Sequence, residues 1–256
     1  MKRFIPASIR LALMLFFLMS VGCSPEVAVE PPASGTVTLL TRSVTETTAA
    51  HRLLVFGVSG DKTCMLNYSF TSGSAVALTA GNYRFVTLTE TACFNLPASG
   101  EVAGLSYDQL LTLKEDATLE AVQISHPDNI TLPATSYTAV LQPATCLLRL
   151  TVKDAPDGLT LALNNMPAGL SLSGSYIGAT TKAYPLTVDD NICLPTDDNA
   201  MLQYQTSAGS GTLDLGMTFE PGYTYSASLQ WQENGLKITS VVANWDEGGN
   251  SAGNAE

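Results

Sequence analysis

Basic residues are scarce in this 256-residue chain: 12 Lys and Arg stand against 23 Asp and Glu, for a net charge of −11. A surface of that sign repels phosphate backbones and anionic headgroups, which argues against nucleic acid as a partner and against membrane attachment by charge. Histidine is scarcer still. His51 and His126 are the only two, neither has a partner at ligand spacing, and both read as loop residues rather than as a metal ligand or general base. GxSxG, P-loop and HExxH signatures do not occur, nor does CxxC. The sequence therefore predicts no enzyme, no cofactor and no metal. Asp189, Asp190 and Asn191, with Asp197, Asp198 and Asn199, could bring oxygens together for Ca²⁺, but turn-forming Asp and Asn account for them without an ion. Tryptophan is limited to Trp231 and Trp245, which leaves little for an aromatic platform that stacks on sugars. Long amphipathic helical patterns are missing too, so an all-β class is expected.

What is present starts at the N-terminus. Lys2, Arg3 and Arg10 flank an apolar run beginning at Leu11 that is too short to span a bilayer comfortably, and Ser20, Val21 and Gly22 lead into Cys23. That is the layout of an export signal. The Ser-Val-Gly-Cys ending resembles the lipobox of bacterial lipoproteins, in which the cysteine is diacylated and becomes the first residue after cleavage, although Ser20 stands where Leu is usual. The resemblance implies a signal peptide over residues 1–22 and a lipid on Cys23 that holds the protein to a membrane at about 0.8 kcal/mol per buried methylene. Residues 23–35, rich in Pro and acid, read as a flexible tether.

Four further cysteines, Cys64, Cys93, Cys146 and Cys193, form an even set in an oxidising compartment. Pairing Cys64 with Cys93 and Cys146 with Cys193 keeps each bridge inside one expected domain; buried free thiols acting as small hydrophobes are the alternative.

From Thr36 the chain reads as short β-type runs between Gly, Pro, Asn and Asp. Thr36, Val37, Thr38, Leu39, Leu40 and Thr41 make a first strand, and residues 53–58 a second whose continuous apolarity predicts burial on both faces. Between them Arg42 to Arg52 reads as a long exposed connection. Strands follow over 65–70, 75–78 and 83–89. A capping box at Ser106 to Gln109, with Leu105 and Leu110 as a staple, predicts a short helix ending before Asp116. A strand over 137–141 lies between Pro133 and Pro143, and a fresh start follows. Leu148, Leu150 and Val152 then share one face while Arg149 and Thr151 share the other. The domain boundary is placed there, giving domains over 36–143 and 144–248 and a mobile tail over 249–256. Tyr223, Tyr225, Ala227, Leu229 and Trp231 alternate with polar residues up to Asn234-Gly235, a type I′ hairpin signal, and Leu236 and Ile238 return. Gly81 before Tyr83 and Gly222 before Tyr223 form a weak internal echo, each a Gly turn ahead of an aromatic-led strand; chance similarity of β-turns competes with duplication as its cause.

The segment from Phe219 through Pro221-Gly222-Tyr223 and the hairpin to Val242-Ala243-Asn244-Trp245-Asp246-Glu247-Gly248 resembles the C-terminal signature of the fimbrillin-like proteins of Bacteroidales. Thr41-Arg42-Ser43 ahead of the buried strand, the Gly81 to Phe85 turn and strand, and the midpoint strand from Ala144 to Val152 fit the same resemblance. It implies two tandem transthyretin-like, Greek-key β-sandwiches, exported as an outer-membrane lipoprotein and serving in a pilus. In that family an Arg-specific protease removes an N-terminal strand and a neighbouring subunit's strand fills the groove. Carried onto this sequence, the cut falls after Arg42, with Arg52 second, and discards Thr36 to Thr41; the partners are other pilus subunits. A chain left uncut keeps Cys23 and anchors the fibre. A surface lipoprotein that binds glycans is the competing expectation.

Overall fold

The computed structural model describes residues 34–43, 50–60, 62–197, 201–233 and 235–245, with backbone alone at 178–180. The signal, Cys23, the tether before Ser34, Asp198, Asn199 and the tail all lie outside the described residues. No described residue is helical, and the all-β expectation holds.

The first half supplies β1 (Ser34–Arg42), β2 (His51–Gly57), β3 (Cys64–Phe70), β4 (Ala75–Thr79), β5 (Gly81–Thr89), β6 (Leu111–Thr112), β7 (Gln123–Ser125), β8 (Asp128–Leu132) and β9 (Ser136–Pro143). The second supplies β10 (Cys146–Lys153), β11 (Thr160–Leu170), β12 (Tyr176–Leu186), β13 (Asn191–Leu194), β14 (Met201–Thr206), β15 (Gly209–Asp214), β16 (Tyr223–Gln232) and β17 (Gly235–Trp245). One sheet runs β3-β2-β5-β7-β9-β1-β4 with β8 also on β5; the others run β13-β10-β16-β17 and β12-β11-β14-β15, with β6 on β11.

The two halves share a wiring plan. In each, the opening strand lies between an antiparallel neighbour and a parallel one: β1 between β4 and β9, β10 between β13 and β16. In each, the second strand pairs with the third and with a later one, β2 with β3 and β5, β11 with β12 and β14. The parallel pairs are topologically costly because they require long crossovers, so their recurrence makes β5 the counterpart of β14, and β9 that of β16. The Gly81 and Gly222 echo therefore matched non-equivalent strands, since it set β5 against β16.

Sheet membership changes at Ala144 and Thr145, yet burial does not stop there. A first cluster, including Val37, Leu39, Leu53, Val55, Phe85 and Tyr137, is confined to the first half. A second joins Leu54, Phe56, Leu88 and Phe94 to Leu148, Leu150, Leu163, Leu202 and Phe219 across the midpoint. Alternation along β2 explains the split: Leu53 and Val55 point into one cluster, Leu54 and Phe56 into the other. Leu53 to Phe56 are buried on both faces as the apolar run predicts, but the buried stretch begins at His51 and ends before Gly57, and Val58 is exposed.

The expected helix at Ser106 does not form. The Ser106 N–H donates to Gln109 Oε1 at 3.3 Å, which is half of a capping box, but the chain turns there and enters β6. Leu105, Leu111 and Leu113 are all buried, and β6 pairs with Gly169 and Leu170 of β11. Burial of these leucines in the shared core, at roughly 1.5–3 kcal/mol each, outweighs a two-turn helix that is marginal alone. Residues 90–122 thus form a strap over the even-numbered face of β2.

Candidate functional site

The seat of β1 is where the fimbrillin-like resemblance puts the expected strand exchange. Its early residues pair with β4, from Ser34 opposite Thr79 to Thr38 opposite Ala75, and its later ones with β9, from Thr38 opposite Ser136 to Arg42 opposite Val140. Loop groups continue the stitching. The Leu39 N–H donates to the Ser74 carbonyl at 2.7 Å, the Gly73 N–H to the Leu39 carbonyl at 2.8 Å, and the Thr41 N–H to Ser72 Oγ at 3.1 Å. Val37 and Leu39 are fully buried, whereas Leu40 points outward. The strand is thus an interior element of the sheet, held by backbone bonds on both sides and by two apolar side chains beneath.

Arg42, at the end of β1, is exposed. The Ser43 hydroxyl donates to Gln123 Oε1 at 2.6 Å, and residues 44–49, most of the expected exposed connection, lie outside the described residues. Arg52 requires a correction. It is neither a loop residue nor accessible: it sits inside β2, 7% exposed. Its Nε donates to Glu90 Oε2 at 2.8 Å and its Nη1 to Asn67 Oδ1 at 2.9 Å and the Pro97 carbonyl at 3.0 Å; Nη2 meets Glu90 Oε1. Asn67 Nδ2 in turn donates to the Pro97, Ala98 and Glu101 carbonyls. Proteolysis favours extended, solvated backbone, which Arg52 in β2 does not offer; its side chain clamps the strap to the first half. The hydrogen bonds from Arg52 hold the Glu90 carboxyl below the usual glutamate range.

His51 is also misplaced by sequence reasoning. It is fully buried at the start of β2, with Nε2 3.3 Å from Thr41 Oγ1 of β1 and Nδ1 without a hydrogen-bond partner among the described residues. Burial lowers its pKa from 6.5. The detectable signal was parity: His51 shares the inward face with Leu53 and Val55. His126 is exposed.

The expected disulfides are absent, and all four cysteines are free thiols. Cys64 opens β3 and Cys93 follows β5, with β2 between them in the sheet. Cys146 and Cys193 are on adjacent strands, but Cys146 pairs with Leu194 and Leu147 with Cys193, so their side chains leave opposite faces. Burial raises the thiol pKa of Cys64, and that of Cys146 to about 12; buried thiols of this kind are inert.

Trp231 packs against the core with its ring 5.6 Å from that of Tyr204, edge to face. Trp245 is 56% exposed and stands edge-on to Tyr223 with centroids 4.8 Å apart. A cleft of about 540 Å³ opens between residues 115–119 and β12 and β13, lined by Asp116, Asp190 and Asn191. Across it Lys182 Nζ donates to the Lys114, Glu115 and Ala117 carbonyls. Among the described residues no three His, Cys, Asp or Glu converge as a metal site.

No protein-family description matches the sequence, and no curated protein matches it either. Solved structures do. A Bacteroides thetaiotaomicron protein described as a polysaccharide-binding candidate superposes with a TM-score of 0.60 at 11% identity, over 83% of this chain and 96% of that one. An adhesin candidate from Bacteroides ovatus gives 0.57 at 13%, over 84% and 96%. The fimbrial anchor protein Mfa2 from Porphyromonas gingivalis gives 0.56 at 11%, over 84% and 98%. At such identities the likeness is one of fold, and it is the fold that the fimbrillin-like resemblance implied.

Proposed function

We propose that this chain is a non-enzymatic surface lipoprotein of the fimbrillin type, acting in cell adhesion as a subunit, anchor or accessory protein of a fibre. It is held to the outer membrane through Cys23 and joins other subunits by β-strand addition at the seat of β1. The observation that carries this reading is the seat itself. It combines an interior strand with two fully buried side chains, Val37 and Leu39, and an exposed arginine, Arg42, at the strand's end. Loss of Thr36 to Thr41 would strip backbone partners from β4 and β9 beside an apolar slot, and only another strand satisfies both needs. The fold shared with a fimbrial anchor and an adhesin candidate supports the same direction.

N-terminal sequencing and lipid mass analysis of protein recovered from cell surfaces tests it. A start at Ser43 marks a polymerising subunit, and a retained acylated Cys23 marks an anchor. An unacylated chain that begins elsewhere removes both. A second reading, glycan binding at the cell surface, is favoured by exposed Trp245. Loss of polysaccharide retention in Trp245→Ala would bear it out.

A further inference from the structure

We infer that β17 is the place where two copies of this chain join, edge to edge and antiparallel, about a two-fold axis at Val242. The inference stands on β17 alone and is independent of whether β1 is ever removed. It begins with a mismatch between the halves. Beside β9 in the first half lies β7, which also pairs with β5 through Leu88 and Ile124, so that flank is sealed. Beside β16 in the second half lies β17, and among the described residues no strand pairs with its other side.

Other flanks are guarded in ways that β17 is not. The edge strand β3 is covered by the strap: the Gly100 N–H donates to the Asn67 carbonyl and the Cys64 N–H to the Leu105 carbonyl. At the other sheet edges, β4 and β13 are five and four residues long, β15 has six with two glycines and Asp214, and β12, as long as β17, carries Lys182 and Pro185. β17 has 11 residues, and from Ile238 to Trp245 it contains no charge, proline or glycine. Long, uncharged, uncovered edges are where strands add.

The side chains are bare as well as the backbone. Register places Val241, Ala243 and Trp245 opposite Ala227, Tyr225 and Tyr223, on the inward face of the sheet. Ala227 and Tyr225 are 1% and 4% exposed, yet Val241 is 38% and Trp245 56% exposed. The apolar stripe continues past the point where the sandwich covers it.

Charge at the two ends of the run selects the occupant. Exposed Lys237 precedes it, and Asp246 and Glu247 follow it in the sequence. An antiparallel second copy sets Lys237 of each strand toward the other's Trp245 end, after which the acidic residues follow in the sequence, twice over. A parallel copy sets like against like, as would any anionic strand beside the acidic end. Two-fold closure makes the patch self-complementary: Val242 meets its own counterpart, and Val241 of one copy faces Ala243 of the other. The product is a continuous sheet with β17 of both copies at its centre.

Sedimentation equilibrium of the full chain in density-matched detergent, with reductant to keep the cysteines apart, tests this. The wild type should show a concentration-dependent dimer. Val242 is 49% exposed, so Val242→Lys and Val242→Glu leave the fold intact, and each should weaken dimerisation at least about tenfold by placing like charges on the axis. An equimolar mixture of the two should recover a heterodimer. A wild type that stays monomeric overturns the inference, even if it captures a strand-forming peptide. A dimer indifferent to Val242→Lys, or a mixture no tighter than either variant alone, overturns it equally.

Discussion

β1 and β10 hold the same position in two copies of one plan, but they are not held equally. β1 is paired over five positions on each side, with only Thr38 shared, and buries Val37 and Leu39. β10 pairs over seven positions with β16 and four with β13, and buries Cys146, Leu148 and Leu150 in the cluster that spans both halves. Equal topology thus permits unequal attachment. The first opening strand buries its side chains in a core confined to its own half, while the second is built into the core that spans both.

The largest test of that inequality is Leu148→Ala against Leu39→Ala. Leu148→Ala should cost about 2–5 kcal/mol of global stability by urea unfolding. Leu39→Ala should cost less globally, because local release of β1 offers an escape whose free energy caps the measured loss. Amide exchange should accelerate at Val37 and Leu39 while Leu148 stays protected. Equal losses, with exchange at both strands rising together, would break the comparison.

Next in size is the clamp that ties the strap to the first half. Arg52→Met removes one partner of a largely buried pair and strands Asn67 Oδ1, so chemical denaturation should show a loss of about 3 kcal/mol. A neutral result would mean that the strap holds without its clamp. In the second half, a Cβ at Gly211 would overlap the Tyr204 hydroxyl, so Gly211→Ala should cost about 1–3 kcal/mol. Adding Tyr204→Phe should recover little of it, since the ring carbons Cζ and Cε1 overlap as well as the hydroxyl, whereas Tyr204→Ala alongside Gly211→Ala removes the overlap. Thermal melts of the single and double variants read this directly.

The smallest expected effect distinguishes the halves by pH. His51 is buried under the end of β1 with a lowered pKa, so the unfolded chain takes up a proton near 6.5 that the folded chain does not. Stability contributed by the neutral ring is therefore complete above about pH 6.5 and declines as pH falls below it, by at most about 1.4 kcal/mol per pH unit. Melts between pH 7.5 and 5.5 should show the decline in the wild type and a flatter profile in His51→Gln. Exchange at Thr41 should rise before exchange in β10.

Much of the fold was legible because period and parity are local. The β16 and β17 hairpin, the alternation of β10 and the two-sided burial of β2 all follow from residue order alone. Interactions between distant segments were not legible. Ser106 and Gln109 satisfy a helix-start pattern, but the strand pairing of β6 with β11 decides the conformation there. Arg52 looked like a loop cation because its partners Glu90, Asn67 and Pro97 lie far along the chain. Cys146 and Cys193 looked pairable until register put them on opposite faces. For the candidate site, the strand over Thr36 to Thr41 and the exposed Arg42 were readable, whereas the presence of His51 beneath Thr41 was not.

β2 serves as a party wall. On one side Leu53 and Val55 line the berth of β1; on the other Leu54 and Phe56 belong to the mass common to both halves. Loosening β2 therefore disturbs two cores at once, because its alternate side chains belong to different ones.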